Sequence, residues 1–252
     1  MKESQMPREA YVIHALIEMA DTLVEDFDVI DILTGLTDRC VKVLGVSAAG
    51  VMLMAPDDRE LRLVASSNET MRVLELFELQ AQEGPCLDAY RTGRPVEHEL
   101  LRSASGRWPA IAGVALEAGF QSVVALPLQL RAATIGALNL FSVGRVPIDE
   151  RDVTVARGFA DLATISVLQH RAATEAQRLN EQLSAALQSR IVIEQAKGLI
   201  SARTGLNMAE AYSRLHRYAR NSQLRLTDVA QSAVDGTLDQ SAWTAISLSD
   251  SS

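Results

Sequence analysis

The longest unbroken helical pattern in the chain runs from Val153 to Ile193; it holds no proline, and its one glycine, Gly158, sits near the start. A segment without a breaker over that length predicts one helix, dividing the chain into an N-terminal and a C-terminal part. Its later part sets Leu179, Leu183, Ala186, Arg190 and Ile193 at alternating four- and three-residue steps, the spacing that keeps a seam turned toward a partner helix. The same face could instead pack on the chain's own sheet, and Arg190 interrupts the apolar seam. Pairing of two copies is the expectation, with 171–189 as the helical, coiled-coil connector of a homodimer.

Charge changes across this helix. Residues 1–183 hold 17 Lys and Arg against 26 Asp and Glu, whereas 184–240 hold seven against five, a passage from −9 to +2 in a chain of net charge −8. A basic module beside an acidic one suits a polyanionic partner, although a merely solvated helix face gives the same bias. The cations concentrate in RIVIEQAKGLISARTGLNMAEAYSRLHRYAR, where Arg190, Lys197, Arg203, Arg214, Arg217 and Arg220 stand against Glu194 and Glu210.

Before the long helix the pattern is mixed. Apolar residues at Tyr11, Ile13, Ala15, Leu16, Met19, Ala20 and Leu23, and again at Ile30, Leu33, Leu36, Cys40, Val43 and Leu44, recur at helical spacing. SAAGVMLMAPDDRELRLVASS reads as a hairpin turning at Pro56-Asp57-Asp58, and Met71 to Leu79 as a helix. Gly84-Pro85 breaks that helix, Gly93-Arg94-Pro95 precedes a short extended segment, and a helix follows Trp108-Pro109 through Leu116. SVVALPLQLRAATIGALNLFS forms a second, central hairpin. Strands flanked by helices at both ends predict an α+β domain over 10–170.

After it, a helix through Ile191 to Ala202 carries Val192, Ile193, Ala196, Leu199 and Ile200 as an apolar stripe, with Arg190, Glu194, Lys197 and Ser201 on another face, and ends at Gly205. Gly198 costs about 1 kcal/mol against alanine inside a helix, so its missing side chain needs a reason. Close packing of another helix is one, favoured by the residues alone; a nucleobase or sugar against the backbone is another. Met208 to Asn221 turns Ala211, Leu215, Tyr218 and Ala219 inward, and places Arg214, Arg217 and Asn221 on a second face. A third short helix from Thr227, with Thr227 and Asp228 suited to its N-terminus, completes an all-α three-helix bundle over 190–240. Residues 241–252 are expected to be a disordered tail.

Several functions find no support. Cys40 and Cys86 have neither metal-ligand nor disulfide-framework spacing. No run approaches the roughly 18 apolar residues of a membrane span, and the start, MKESQMPREAYVIHALIEMAD, is already polar and helical in period, so the expected location is the cytoplasm. The sequence has no phosphate loop, His-Glu-x-x-His or Gly-x-Ser-x-Gly, and His14, His98, His170 and His216 are scattered. Glu97 and Glu99, like Asp149, Glu150 and Asp152, read as solvated acids and helix N-terminal charge. No enzyme, cofactor or metal is expected.

EGPCLDAYRTGRPV and SVVALPLQLRAATIGALNLFS, in that order, resemble GAF sensory domains. The resemblance implies a central antiparallel sheet with helices on one side and a small-molecule pocket on the other, without naming the ligand. No histidine adjoins Cys86 as at a chromophore attachment point, His98 between Glu97 and Glu99 reads as an ordinary polar position rather than a haem ligand, and the Asn-Lys-Phe-Asp-Glu signature of cyclic-nucleotide members is absent in this order. The C-terminal pattern, Arg190-Ile-Val-Ile-Glu-Gln-Ala-Lys-Gly-Leu-Ile, Ala211-Tyr212-x-x-Leu215, Tyr218-Ala219-Arg220 and Leu226-x-x-Val229-Ala230, is similar to ANTAR RNA-binding domains, departing at Ser201, where many relatives carry methionine. That likeness implies a transcription antitermination regulator binding paired hairpin loops in nascent RNA. Its RNA-binding candidates here are Arg190, Lys197, Gly198, Arg203, Tyr212, Arg214, Arg217 and Arg220, because unpaired bases stack on Tyr or Arg while phosphates meet cations. The alternative is a small-molecule sensor whose C-terminal bundle binds a protein.

Overall fold

The computed structural model describes residues 7–21, 28–55, 60–144 and 148–247, in two compact units dividing between Ala172 and Ala173. The expected turn at Pro56-Asp57-Asp58 and the side chain of His98 lie outside the described residues.

The first unit opens with α1 (Arg8–Asp21) and α2 (Val29–Leu44). Asp28 accepts the Ile30 N–H at 2.8 Å and starts α2, and Gly45, at φ +66°, ends it. The strands β1 (Ala48–Met54), β2 (Leu61–Ser66), β3 (Val96–Leu100), β4 (Ser122–Leu130) and β5 (Ala133–Ser142) form one antiparallel sheet in the order β2-β1-β5-β4-β3. The second hairpin, β4–β5, is therefore central, as its continuous apolar run requires. Between β2 and β3 lie α3 (Glu69–Ala81) and α4 (Pro85–Thr92); α5 (Pro109–Glu117) precedes β4. Gly84-Pro85 does break the helix, but α4 starts at once: proline suits a first helical position, where no intrahelical partner awaits its missing N–H.

Alternation along the strands sorts side chains to two cores. Val124, Leu126 and Leu128 join Leu33, Leu36, Phe159 and Val167 on one face, under α1, α2 and the start of α6 (Glu150–Thr204). Val123, Ala125 and Phe141 join Met71, Leu74, Trp108 and Ile111 on the other, under α3 to α5. The face expected to be left for a ligand is thus covered by helices and filled by their side chains. A cleft of about 480 Å³ stands beside it, lined by Glu60, Leu61, Leu79, Leu87, Tyr90 and Arg91, among others.

The helix read as two segments, Val153 to Ile193 and Ile191 to Ala202, is the single element α6. Nothing in the overlap interrupts its hydrogen bonds, and Gly205, at φ +74°, stops it. Across 172–188 its residues are exposed. Of the residues expected in a seam, Leu179 and Leu183 are 47 and 70% exposed and Ile193 packs against the C-terminal core; Leu187 and Ile191 are exposed too, at 61 and 42%.

In the second unit α6 is followed by α7 (Met208–Asn221), α8 (Leu226–Val234) and α9 (Gln240–Ser247). Asn207 and Glu210 form a capping box at the start of α7, and the Ser201 hydroxyl donates to the Leu206 carbonyl at 2.6 Å, tying the turn between α6 and α7. Val192, Ala196, Ile200, Ala211, Leu215, Ala219, Val229, Ala230 and Ala233 form the core of the three-helix bundle. Two expectations need correction. Thr227 is inside α8, whose cap position is Arg225 with no side-chain bond. The tail expected to be disordered from 241 instead begins with α9, because Ala242 and Ile246 are fully buried and Trp243 packs beside them.

Candidate nucleic-acid interface

The predicted residues fall into two groups. Where α6 passes α7, the Lys197 ammonium lies 5.8 Å from the centroid of the Tyr212 ring, and that ring lies 6.0 Å from His216, inclined by 31°. Tyr212 is 41% exposed, unlike Tyr218, which packs against the core. Lys197 donates to both Glu194 oxygens at 2.8 Å, with the lysine side chain 16% and the glutamate side chain 52% exposed. Gly198 stands beside it with open space: a Cβ built there meets nothing within 4 Å. Close packing of another part of the chain therefore does not account for this glycine.

Arg190 is exposed and, seven residues before Lys197, shares its edge of α6; Arg220 continues the line of Tyr212 and His216 at four-residue steps along α7. Arg203 and Arg214 are elsewhere. The Arg203 guanidinium lies 4.4 Å from the Trp243 ring, and Arg214 Nη1 donates to the Ile246 carbonyl at 3.4 Å, so both engage α9. Arg217, five residues from Tyr212, falls on a different face of α7. Sequence reasoning missed His216, although the four-residue step from Tyr212 signals it; it set Glu194 and Lys197 on one face, and the structure pairs them there. It missed Trp243 because the segment holding it reads as a tail.

The first unit contains a second polar constellation. Glu75, Glu78 and Asn139 are fully buried. Glu78 Oε1 accepts the N–H groups of Cys86 and Leu87, at 2.7 and 3.1 Å, in the first turn of α4. Asn139 Nδ2 donates to Glu75 Oε1 at 3.1 Å and Glu78 Oε2 at 3.0 Å, leaving Glu75 Oε2 and Asn139 Oδ1 without a partner. Burial pushes the Glu78 carboxyl up to about 8 against the pull of those hydrogen bonds. Glu75 is raised well above the usual range, first by burial and then by the Glu78 charge. Burial also pushes the Cys40 thiol up to about 12 and raises Cys86, consistent with structural rather than reactive thiols. Among the described residues no group of three or more His, Cys, Asp and Glu side chains is placed to hold a metal, and no helix is long and apolar enough to cross a membrane.

Comparison with known proteins gives two family matches: the GAF domain model matches residues 28–167 and the ANTAR domain model residues 181–234. Solved structures of similar fold include the GAF domain of a phosphoenolpyruvate-protein phosphotransferase from Acinetobacter, at 13% identity and TM-score 0.51, covering 64% of this chain and 94% of that one. The corresponding domain from Coxiella burnetii matches at 14% and 0.51, covering 66% and 97%, and another GAF domain structure at 15% and 0.52, covering 66% and 92%. No curated protein matches the chain.

Proposed function

Because the chain belongs to the GAF domain family and carries an ANTAR domain after it, we propose that it is a cytoplasmic, signal-responsive transcription antitermination regulator that binds paired hairpin loops in nascent RNA. GAF domains are sensory and ANTAR domains are RNA-binding regulatory modules, so the pairing describes a regulator rather than a catalyst. The observation that carries the RNA reading is the edge built from Arg190, Lys197, Gly198, Tyr212 and Arg220, where cations, an accessible aromatic ring and open backbone stand together. Phosphates meet the cations and unpaired bases the ring.

The exposed leucines of α6 support a homodimer formed through 171–189, which would present two bundles to two loops. The cleft at Tyr90 and Arg91 is the candidate site for a small ligand of the sensory domain. Sequencing of RNA cross-linked to the protein in its native cell tests the reading. Enrichment of transcripts with tandem hairpins upstream of a terminator is expected; protein partners recovered without RNA would replace it with the protein-binding alternative.

A further inference from the structure

Resting on the RNA reading, we propose that Tyr212 and His216 form a two-ring shelf for one unpaired RNA base, and that Glu194 holds Lys197 beside it until the phosphate next to that base replaces the carboxylate. The core of the second unit is mainly aliphatic, with Tyr218 and Trp243 packed against it. Tyr212 and His216 stand apart from it, one helical turn from each other, with their centroids 6.0 Å apart and an inclination of 31°. Two rings this close and this little inclined can meet one flat base between them, and a base stacks on such a surface whatever its sequence, because every base has a π face. The open space at Gly198 leaves room for the sugar or base edge against the helix backbone.

The charge arrangement selects the occupant. Lys197 donates to both oxygens of Glu194, so in the free protein its charge is neutralised beside the shelf. Arg190 and Arg220 extend the two edges as exposed cations. A phosphate drawn in by those arginines meets an ammonium that only needs to change partners, and the displaced Glu194 carboxylate then opposes binding. An acidic peptide would supply the anion but not a flat base for the rings; RNA supplies both.

The test uses the full chain and a tandem-hairpin RNA selected from a pool with randomised loops, carrying 2-aminopurine in one loop. Stacking quenches that base, and anisotropy gives the affinity. Tyr212→Ala and His216→Ala should each weaken binding at least about fivefold and relieve quenching, as loss of one stacked base implies. His216→Phe should restore both. Glu194→Gln should tighten binding by up to about fivefold, the reach of an exposed ion pair, and that gain should vanish in a Lys197→Ala background. A wild-type chain that selects no RNA would overturn the RNA reading and the shelf with it. Wild-type binding that His216→Ala and Tyr212→Ala leave unchanged would overturn the shelf alone. A Glu194→Gln gain that persists without Lys197 would show general charge repulsion and overturn the holding role.

Discussion

Glu75 and Glu78 show how a single proton can organise a core. Glu78 receives two backbone N–H donors and is the first of the pair to take a negative charge as pH rises, so Glu75 is the carboxyl that keeps its proton. A proton on Glu75 Oε2 gives that unpartnered oxygen something to donate, and the unpartnered acceptor in the same cluster is Asn139 Oδ1. Both carboxyls titrate above their usual range in the folded state, so the folded protein binds more protons than the unfolded chain and loses stability as pH rises above the ordinary carboxylate range, with Glu78 titrating at about 8. Glu75→Gln should flatten that decline and make the protein about 1–3 kcal/mol more stable near pH 8, since the unfolded chain no longer gains by ionising a carboxyl that the core keeps protonated. Glu78→Ala should instead destabilise the fold at every pH, costing about 3 kcal/mol, because the Cys86 and Leu87 N–H groups lose their acceptor. Melting curves of both variants across pH 5 to 9 decide the point, and equal slopes for wild type and Glu75→Gln would refute the proton assignment. Gly84 belongs to the same arrangement: a Cβ there would lie 2.3 to 2.5 Å from Glu78 side-chain atoms, and its φ of +143° is open only to glycine.

At the scale of elements, the connector is held to the sensory unit by a specific link. Arg171, next to the last residue of that unit, donates to the Met54 carbonyl at 2.8 Å where β1 ends, and Met54 Sδ accepts the Tyr90 hydroxyl from α4 at 3.0 Å. Tyr90 also lines the cleft beside β2, so a molecule there touches the same knot of contacts as α6. Arg171→Ala should cost about 1 kcal/mol and speed amide exchange around 168–175 while sparing the central hairpin β4–β5; unchanged exchange in that stretch would make the link incidental. Alpha-9 is the other element with a clear consequence. Ile246→Ala should cost about 2–4 kcal/mol of the second unit's stability, as loss of a fully buried side chain does, and a thermal melt unaffected by it would contradict the packing of α9 on the bundle. Elements were legible in the sequence where periodicity was long or alternation clean: α2, α7 and the β4–β5 hairpin. Alpha-4 was hidden because its proline and flanking glycines read as loop, and α9 because its few apolar residues, Ala242, Trp243 and Ile246, make sense only against a core assembled from distant segments. The candidate interface was half legible for the same reason. Helical spacing groups residues along one helix, but whether Arg203 and Arg214 face a partner or α9 depends on an element outside the pattern.

For the whole molecule, sensing matters to RNA only if the state of the first unit changes what the second can bind. Any effector must therefore shift RNA affinity and be shifted by RNA by the same factor, since the coupling free energy is shared. The exposed stripe of α6 offers the means. Leu179, Leu183 and Leu187 follow one another a helical turn apart on a stretch exposed to water, and burying them against a second copy would remove their large apolar surface from water. A dimer carries two bundles, and an RNA with two hairpin loops can engage both. Once the first loop is bound, the second is confined to an effective concentration in the millimolar range when the spacer permits, which raises the apparent affinity about 10²–10⁴-fold without any new contact. If the wild-type chain pairs, Leu183→Glu combined with Leu187→Glu places like charges within the stripe and should leave a monomer in light scattering without lowering the melting temperature of either unit. In the same variant the preference for a tandem-hairpin RNA over a single hairpin should collapse toward unity, while affinity for the single hairpin stays where it was. A wild-type chain that is monomeric at micromolar concentration, or a monomeric variant that keeps the tandem preference, would show that two-loop recognition belongs to one bundle and that α6 serves another purpose.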